Sequence, residues 1–146
     1  MNIYPRKKEK EPIITFKIIE DVATEVLSLD NVKEYLTIDF PDHDWILNKL
    51  IKGVRQSFER WTGLAIGVKK IELSGDYQSD LAYMPFEPIN DQVGALQTVG
   101  YTPGNCPDDL QVAMMKVIHA CFENRELDIN TECEKASKGF RRRVGI

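Results

Sequence analysis

The residue types that most often carry catalysis are few in this chain and lie far apart. His43 and His119 are the only histidines, and neither has a second histidine or a cysteine at helical spacing. A histidine without such a partner offers no route to metal binding or proton transfer. Carboxylate pairs at 42/44 and 108/109 fall where helices begin, and the helix dipole accounts for acids there. We therefore expect that the chain is not an enzyme and uses no cofactor or metal.

The cysteines and the terminal segments bear on compartment. Cys106, Cys121 and Cys133 are odd in number and form no C-x-x-C pair, which argues against a disulfide framework or a zinc site. The first ten residues are polar and basic, and no run approaches the roughly 18 apolar residues of a membrane span. We expect a soluble, unexported protein in a reducing environment, with no membrane contact.

Positive charge is concentrated at the two ends of the chain. Residues 1–17 carry five bases and two acids, and residues 135–146 carry five bases and no acid. Because the formal net charge is -4, residues 18–134 hold -12. Basic ends on an acidic body usually contact a partner, although a merely solvated tail is the simple alternative.

The arginine run at 141–143 suggests phosphate binding, since phosphates are neutralised by clustered Arg or Lys. The run is short, the acidic body would repel DNA, and no helix-turn-helix, RNA-binding sheet motif or zinc finger is recognisable. A protein partner with an acidic groove fits better, with an aromatic anchor beside the charges. The predicted partner-binding residues are Lys138, Phe140, Arg141, Arg142 and Arg143.

The first half of the chain alternates between strand and helix patterns. Residues 1–12 mix prolines with charges and predict a flexible basic arm, and β-branched residues at 13–19 predict an edge strand after Pro12. Apolar spacing at 29–36 predicts a short helix capped by Ser28 or Asp30. A long helix follows, with Asp42 as its N-cap and Gly63 beyond its end. Its apolar stripe is Leu47, Leu50, Ile51, Val54, Phe58 and Trp61, and its outer positions are Lys49, Lys52, Arg55, Gln56, Glu59 and Arg60.

The second half predicts a small sheet and one more strong helix. Strand patterns occur at 66–73, 81–84 and 93–101, interrupted by prolines and glycines. Pro107 and two aspartates open a helix whose apolar stripe runs without a miss to residue 122. From 127 the apolar period fades, which predicts a basic C-terminal tail over 127–146. The fold class is mainly α with a small antiparallel β-sheet (α+β), a helical bundle of two long and one short helix, and the folded domain covers 13–126.

Two segments together resemble a known family. Residues 27–39 read LSLDNVKEYLTID and residues 58–66 read FERWTGLAI. Residues 101–104 (YTPG), 107–113 (PDDLQVA) and 119–126 (HACFENRE) follow in the same order. In order and spacing these pieces are similar to the head-to-tail connector, or head-completion adaptor, proteins of long-tailed bacteriophages. The resemblance covers about 15–126, is loose over 64–100 and does not extend to either end.

The resemblance implies a structural virion protein of the phage neck, assembled in the host cytoplasm. It implies a ring, commonly of twelve subunits, between the portal protein and a tail-completion or stopper protein, with DNA passing through and not recognised by sequence. It also implies that the segment after the last helix contacts the portal, so that deletion of 135–146 would abolish portal binding without unfolding the domain. The alternative is a small nucleic-acid-binding regulator or DNA-packaging accessory protein.

Overall fold

A computed structural model describes residues 13–78 and 83–141 of the chain. Its strands are β1 (Ile14–Glu20), β2 (Lys69–Gly75), β3 (Ile89–Val93) and β4 (Leu96–Val99). Its helices are α1 (Leu29–Leu36), α2 (Asp44–Thr62), α3 (Asp108–Glu123) and α4 (Ile129–Ala136), followed by a short 3-10 helix, Lys138–Phe140. The predicted basic arm at 1–12 lies outside the described residues.

The sheet is antiparallel, with strand order β1, β2, β4, β3. β1 pairs with β2 through registers such as Phe16 with Leu73, and its other edge has no strand neighbour among the described residues. The predicted edge strand is therefore confirmed. Residues 83 and 84 are not in a strand, so that part of the strand predicted at 81–84 is wrong, and residues 81 and 82 lie outside the described part.

Two apolar clusters make up the core. The larger joins the helices around Leu47, Val54, Phe58, Leu110 and Ile118, all of which are buried. The smaller lies under the sheet; it comprises Ala65, Ile71, Leu73, Met84, Phe86 and Val99. In β2 every second side chain faces this cluster, as the two-residue period of a strand requires. The helices pack on one another and the four strands form a separate antiparallel sheet, which gives the predicted α+β class.

The helix starts and stops follow local chemistry, with one error in the prediction. Ser28 caps α1 by accepting from the amide of Asn31, and Gly63 ends α2 with φ of 74°, a conformation that glycine adopts without strain. The proposed Asp42 cap is wrong, because α2 begins at Asp44 after His43. The Asp44 carboxylate lies 2.9 Å from Lys33 of α1 instead, which ties the two helices together.

A fourth helix occupies the segment that the sequence predicts as a tail. Ile129, Cys133 and Ala136 recur at helical spacing for two turns, and the Asp128 side chain caps them by accepting from the amide of Thr131. Cys133 is fully buried against the helical core. The described residues therefore contain two long and two short helices, and the expectation of one short helix is wrong. No helix in 13–78 or 83–141 combines the length and apolarity needed to cross a bilayer.

Candidate interaction surfaces

The C-terminal segment is docked onto the body of the protein as far as it is described. Phe140 packs against the helical core from the 3-10 helix, and the Arg141 guanidinium lies 5.4 Å from the centre of the Trp61 ring. Lys138 is exposed. Arg142 and Arg143 lie outside the described residues. The structure thus brings Phe140 onto its own chain and leaves Lys138 and Arg141 at the surface beside it.

One side chain of α4 makes three hydrogen bonds to α2. Asn130 Oδ1 accepts hydrogen bonds from Ser57 Oγ at 3.1 Å, Arg60 Nη1 at 2.9 Å and Trp61 Nε1 at 3.1 Å. Ser137, just after α4, is fully buried. A deletion of 135–146 would therefore remove buried contacts as well as charges, contrary to the expectation that the domain would be unaffected. Substitutions separate the two effects.

The junction of α2 with the sheet contains a buried ion network. The Glu59 carboxylate lies 2.8 Å from Arg55 Nη1 and 3.1 Å from Lys69 Nζ, and it accepts the amide of Ile66 at 2.9 Å. Arg55 also donates to Glu25 at 2.8 Å. A buried carboxylate with two cations and an amide donor has its charge and its lone pairs satisfied. The network fixes the angle at which the helices meet the sheet.

The pKa shifts of Glu25 and Arg55 follow from burial and from the charges of their neighbours. Burial raises the pKa of Glu25, and the hydrogen bond and charge of Arg55 only partly oppose it, so the pKa stays above its usual value. Burial lowers the pKa of Arg55, but the facing Glu59 and Glu25 carboxylates outweigh burial and the pKa ends above its usual value. Arg55 is therefore a permanent cation at the centre of the network.

The sequence prediction missed this network, because it assigned Arg55 and Glu59 to the outer positions of the long helix. Both are buried, at 3% and 6% of full exposure. Their i, i+4 spacing with opposite charge was visible in the sequence. The third member, Lys69, comes from β2, and its Nζ also lies 3.8 Å from the centre of the Phe86 ring. Nothing local to the helix predicts a cation arriving from the sheet.

The potential catalytic residue types are placed in ways that packing explains. His43 precedes α2 and its ring contacts those of Phe40 and Phe122 edge-on, whereas His119 is half exposed, 3.7 Å from Glu123. Burial raises the pKa of the Cys106 and Cys133 thiols to about 11. Within the described ranges, no three or more His, Cys, Asp or Glu side chains converge to hold a metal.

The outer face of α2 is basic and carries an exposed tryptophan. We define this α2 outer face by the side chains opposite the buried stripe: Trp45, Lys49, Lys52, Gln56 and Arg60. Trp45 is 67% exposed. The two acids of α2 do not counter these bases, because Asp44 pairs with Lys33 and Glu59 is buried in the ion network. The face is therefore positive along its length.

A second surface is a shallow groove between α1 and α3. We define this α1–α3 groove by its lining residues, which enclose about 280 Å³: Leu27, Asn31, Glu34, Tyr35, Gln111 and Met115. Glu34 is the acid that lines it, and the two helices that form it carry these exposed acids: Asp30, Glu34, Asp108, Asp109 and Glu123. Lys116 is the only lysine or arginine of α3, and Lys33 of α1 is paired with Asp44. The groove therefore has apolar walls and one carboxylate, and it lies between two helices of net negative charge.

A third surface lies along the edge strand. Phe16 and Ile18 of β1 are almost half exposed, although their partners Leu73 and Ile71 in β2 are buried. With Gln56, Arg60 and Phe86 they line a hollow of about 230 Å³ that borders the α2 outer face. Lys17 on the other side of the strand is exposed, and charged side chains of this kind discourage pairing between edges.

The described histidines and cysteines of this small α+β protein contact other side chains of the chain. Its distinctive features are on the surface: a basic helix face, a groove between two helices and an exposed edge strand. The family model for phage gp6-like head-tail connector proteins matches residues 26–142. The chain therefore belongs to that family and is a structural component of a bacteriophage virion. No curated protein and no solved structure matches it.

Proposed function

We propose that the chain is the adaptor subunit of the phage neck, which forms a ring between the portal protein and the tail around the DNA exit channel. The family match over 26–142 is the observation that carries the proposal. Its charge distribution supports it, since a body of net charge -12 over 18–134 makes few phosphate contacts and would let DNA slide past. Its other neighbour in the neck would be a tail-completion or stopper protein.

The portal contact is assigned to the C-terminal residues predicted from the sequence: Lys138, Phe140, Arg141, Arg142 and Arg143. Lys138 and Arg141 are exposed next to the point where Phe140 enters the core. The core contact of Phe140 and the Arg141 contact with Trp61 anchor the base of the segment. Arginines at such a place suit a partner with clustered carboxylates, because each guanidinium can bind a carboxylate with two hydrogen bonds.

Charge reversal at the end of the chain tests this contact. The double variant Arg142→Glu/Arg143→Glu is expected to capture at least about tenfold less portal protein of the same phage in co-purification, since repulsion replaces two favourable pairs. Its thermal unfolding should match that of the unmodified chain, which would show that lost capture does not reflect lost folding.

The matched control reverses two exposed bases elsewhere. Lys17→Glu/Lys70→Glu changes the net charge equally, on the sheet and away from the C-terminal segment, and it should capture portal normally. Equal capture by the two double variants would reject the assignment. Native mass spectrometry of the captured complex gives the number of adaptor subunits, and a two-fold dimer would favour a DNA-binding regulator over a ring.

A further inference from the structure

We propose that the α2 outer face of one copy docks into the α1–α3 groove of the next copy, and that this contact joins neighbouring subunits. The inference rests on the proposed ring and adds to it the two surfaces that meet. A ring needs two complementary faces at different places on each subunit, because a head-to-tail contact uses one face to receive and another to insert.

Charge complementarity is the first argument. The α2 outer face presents Lys49, Lys52 and Arg60 with no unpaired acid from its own helix. The groove is lined by Glu34, and the two helices that form it carry five exposed acids against one unpaired base, Lys116. Opposite potentials of this kind steer two surfaces together and fix their register. Two like faces would repel, so the charges favour contact between unlike faces.

The second argument is the exposed Trp45 on the basic face. A tryptophan that is 67% exposed leaves a large apolar area in water, and tryptophan is among the side chains that most often dominate interface energies. The groove offers apolar walls from Leu27, Tyr35 and Met115 and amide groups from Asn31 and Gln111. These amides supply an acceptor for the indole N–H, which a buried tryptophan needs.

The position of the two faces gives the contact its polarity. The α2 outer face lies opposite the stripe on which α3 packs, and the groove lies between α1 and α3. The two surfaces therefore share no residue and belong to different helices, so a copy bound through one keeps the other free. Such a contact propagates to further copies and closes only as a ring.

Single substitutions on each face test the contact in the full chain. Trp45→Ala removes the anchor and Glu34→Lys reverses the charge that lines the groove, and each is expected to weaken self-association by about tenfold or more in sedimentation velocity. Both positions are exposed, so circular dichroism and thermal unfolding should be unchanged. Val93→Ala and Lys17→Glu are the matched controls, an exposed apolar and an exposed charged site outside both surfaces, and they should associate normally.

Mixing the two variants separates this contact from other modes of association. Trp45→Ala retains an intact groove and Glu34→Lys retains an intact α2 outer face, so an equimolar mixture should form heterodimers and nothing larger. Larger assemblies in the mixture would overturn the proposal, as would unchanged assembly of either variant alone. Either result would leave the proposed ring in place and show only that other surfaces join its subunits. A chain that stays monomeric at its highest soluble concentration also overturns this contact. In that case the number of subunits captured with the portal still tests whether a ring forms there.

Discussion

The Glu59 carboxylate holds three parts of the protein at one point. It binds Arg55 on its own helix, Lys69 on β2 and the Ile66 amide in the segment between them. Removing one member of a buried ion group leaves the others without compensation, which costs more than the intact group contributes. We therefore expect a single substitution in this network to lower the free energy of unfolding strongly.

Glu59→Gln keeps the size of the side chain and removes its charge, so buried Lys69 loses the carboxylate it is paired with and buried Arg55 keeps only Glu25. We expect the free energy of unfolding to fall by about 3 kcal/mol, measured by urea denaturation followed by circular dichroism. Glu126→Gln, at an exposed position, should change it by less than about 0.5 kcal/mol. A Glu59→Gln loss as small as that of the control would show that the network contributes specificity of packing and little stability.

At the scale of elements, α4 shows what the sequence could and could not predict. The strong stripes of α2 and α3 and the edge strand were readable, because 16 or more residues of helical period leave little choice. α4 offers only two turns, and its docking depends on Asn130, whose partners Ser57 and Trp61 are about 70 residues away. Long-range partners of this kind leave no local pattern. For the same reason the Lys69 contact was missed, and the surface groove between α1 and α3 could not be foreseen.

Asn130→Ala is expected to loosen α4 from α2, since three donors lose their common acceptor and two of them are partly buried. The cost should be about 2 kcal/mol, and hydrogen exchange of the α4 amides should quicken more than that of α3. Lys135→Ala on the exposed side of α4 removes only a loose contact with Glu132 at 3.8 Å and serves as the control. Equal exchange in the two variants would mean that the buried Cys133 alone holds the helix.

At the scale of the whole molecule, the charges are sorted by surface. Bases occupy the α2 outer face and the sequence of the C-terminal segment, and acids predominate in the two helices that form the α1–α3 groove. The basic α2 outer face could bind either duplex DNA or a second copy of the chain, and the charge distribution distinguishes the two. A duplex would meet only three bases there, Lys49, Lys52 and Arg60, next to a body that repels phosphate. A second copy would meet them with the acids of its α1 and α3.

DNA binding by the purified chain decides between these occupants. Three phosphate contacts on the α2 outer face would contribute no more than about -3 to the dependence of log affinity on log salt, and the basic ends of the chain add their own contribution. Filter binding over a salt series measures this dependence. Lys49→Ala/Lys52→Ala should lower the slope and also weaken self-association, because one surface serves both contacts. Binding that selects one DNA sequence at moderate salt would instead support the nucleic-acid-binding regulator, since an adaptor around a channel must pass every sequence of the genome alike.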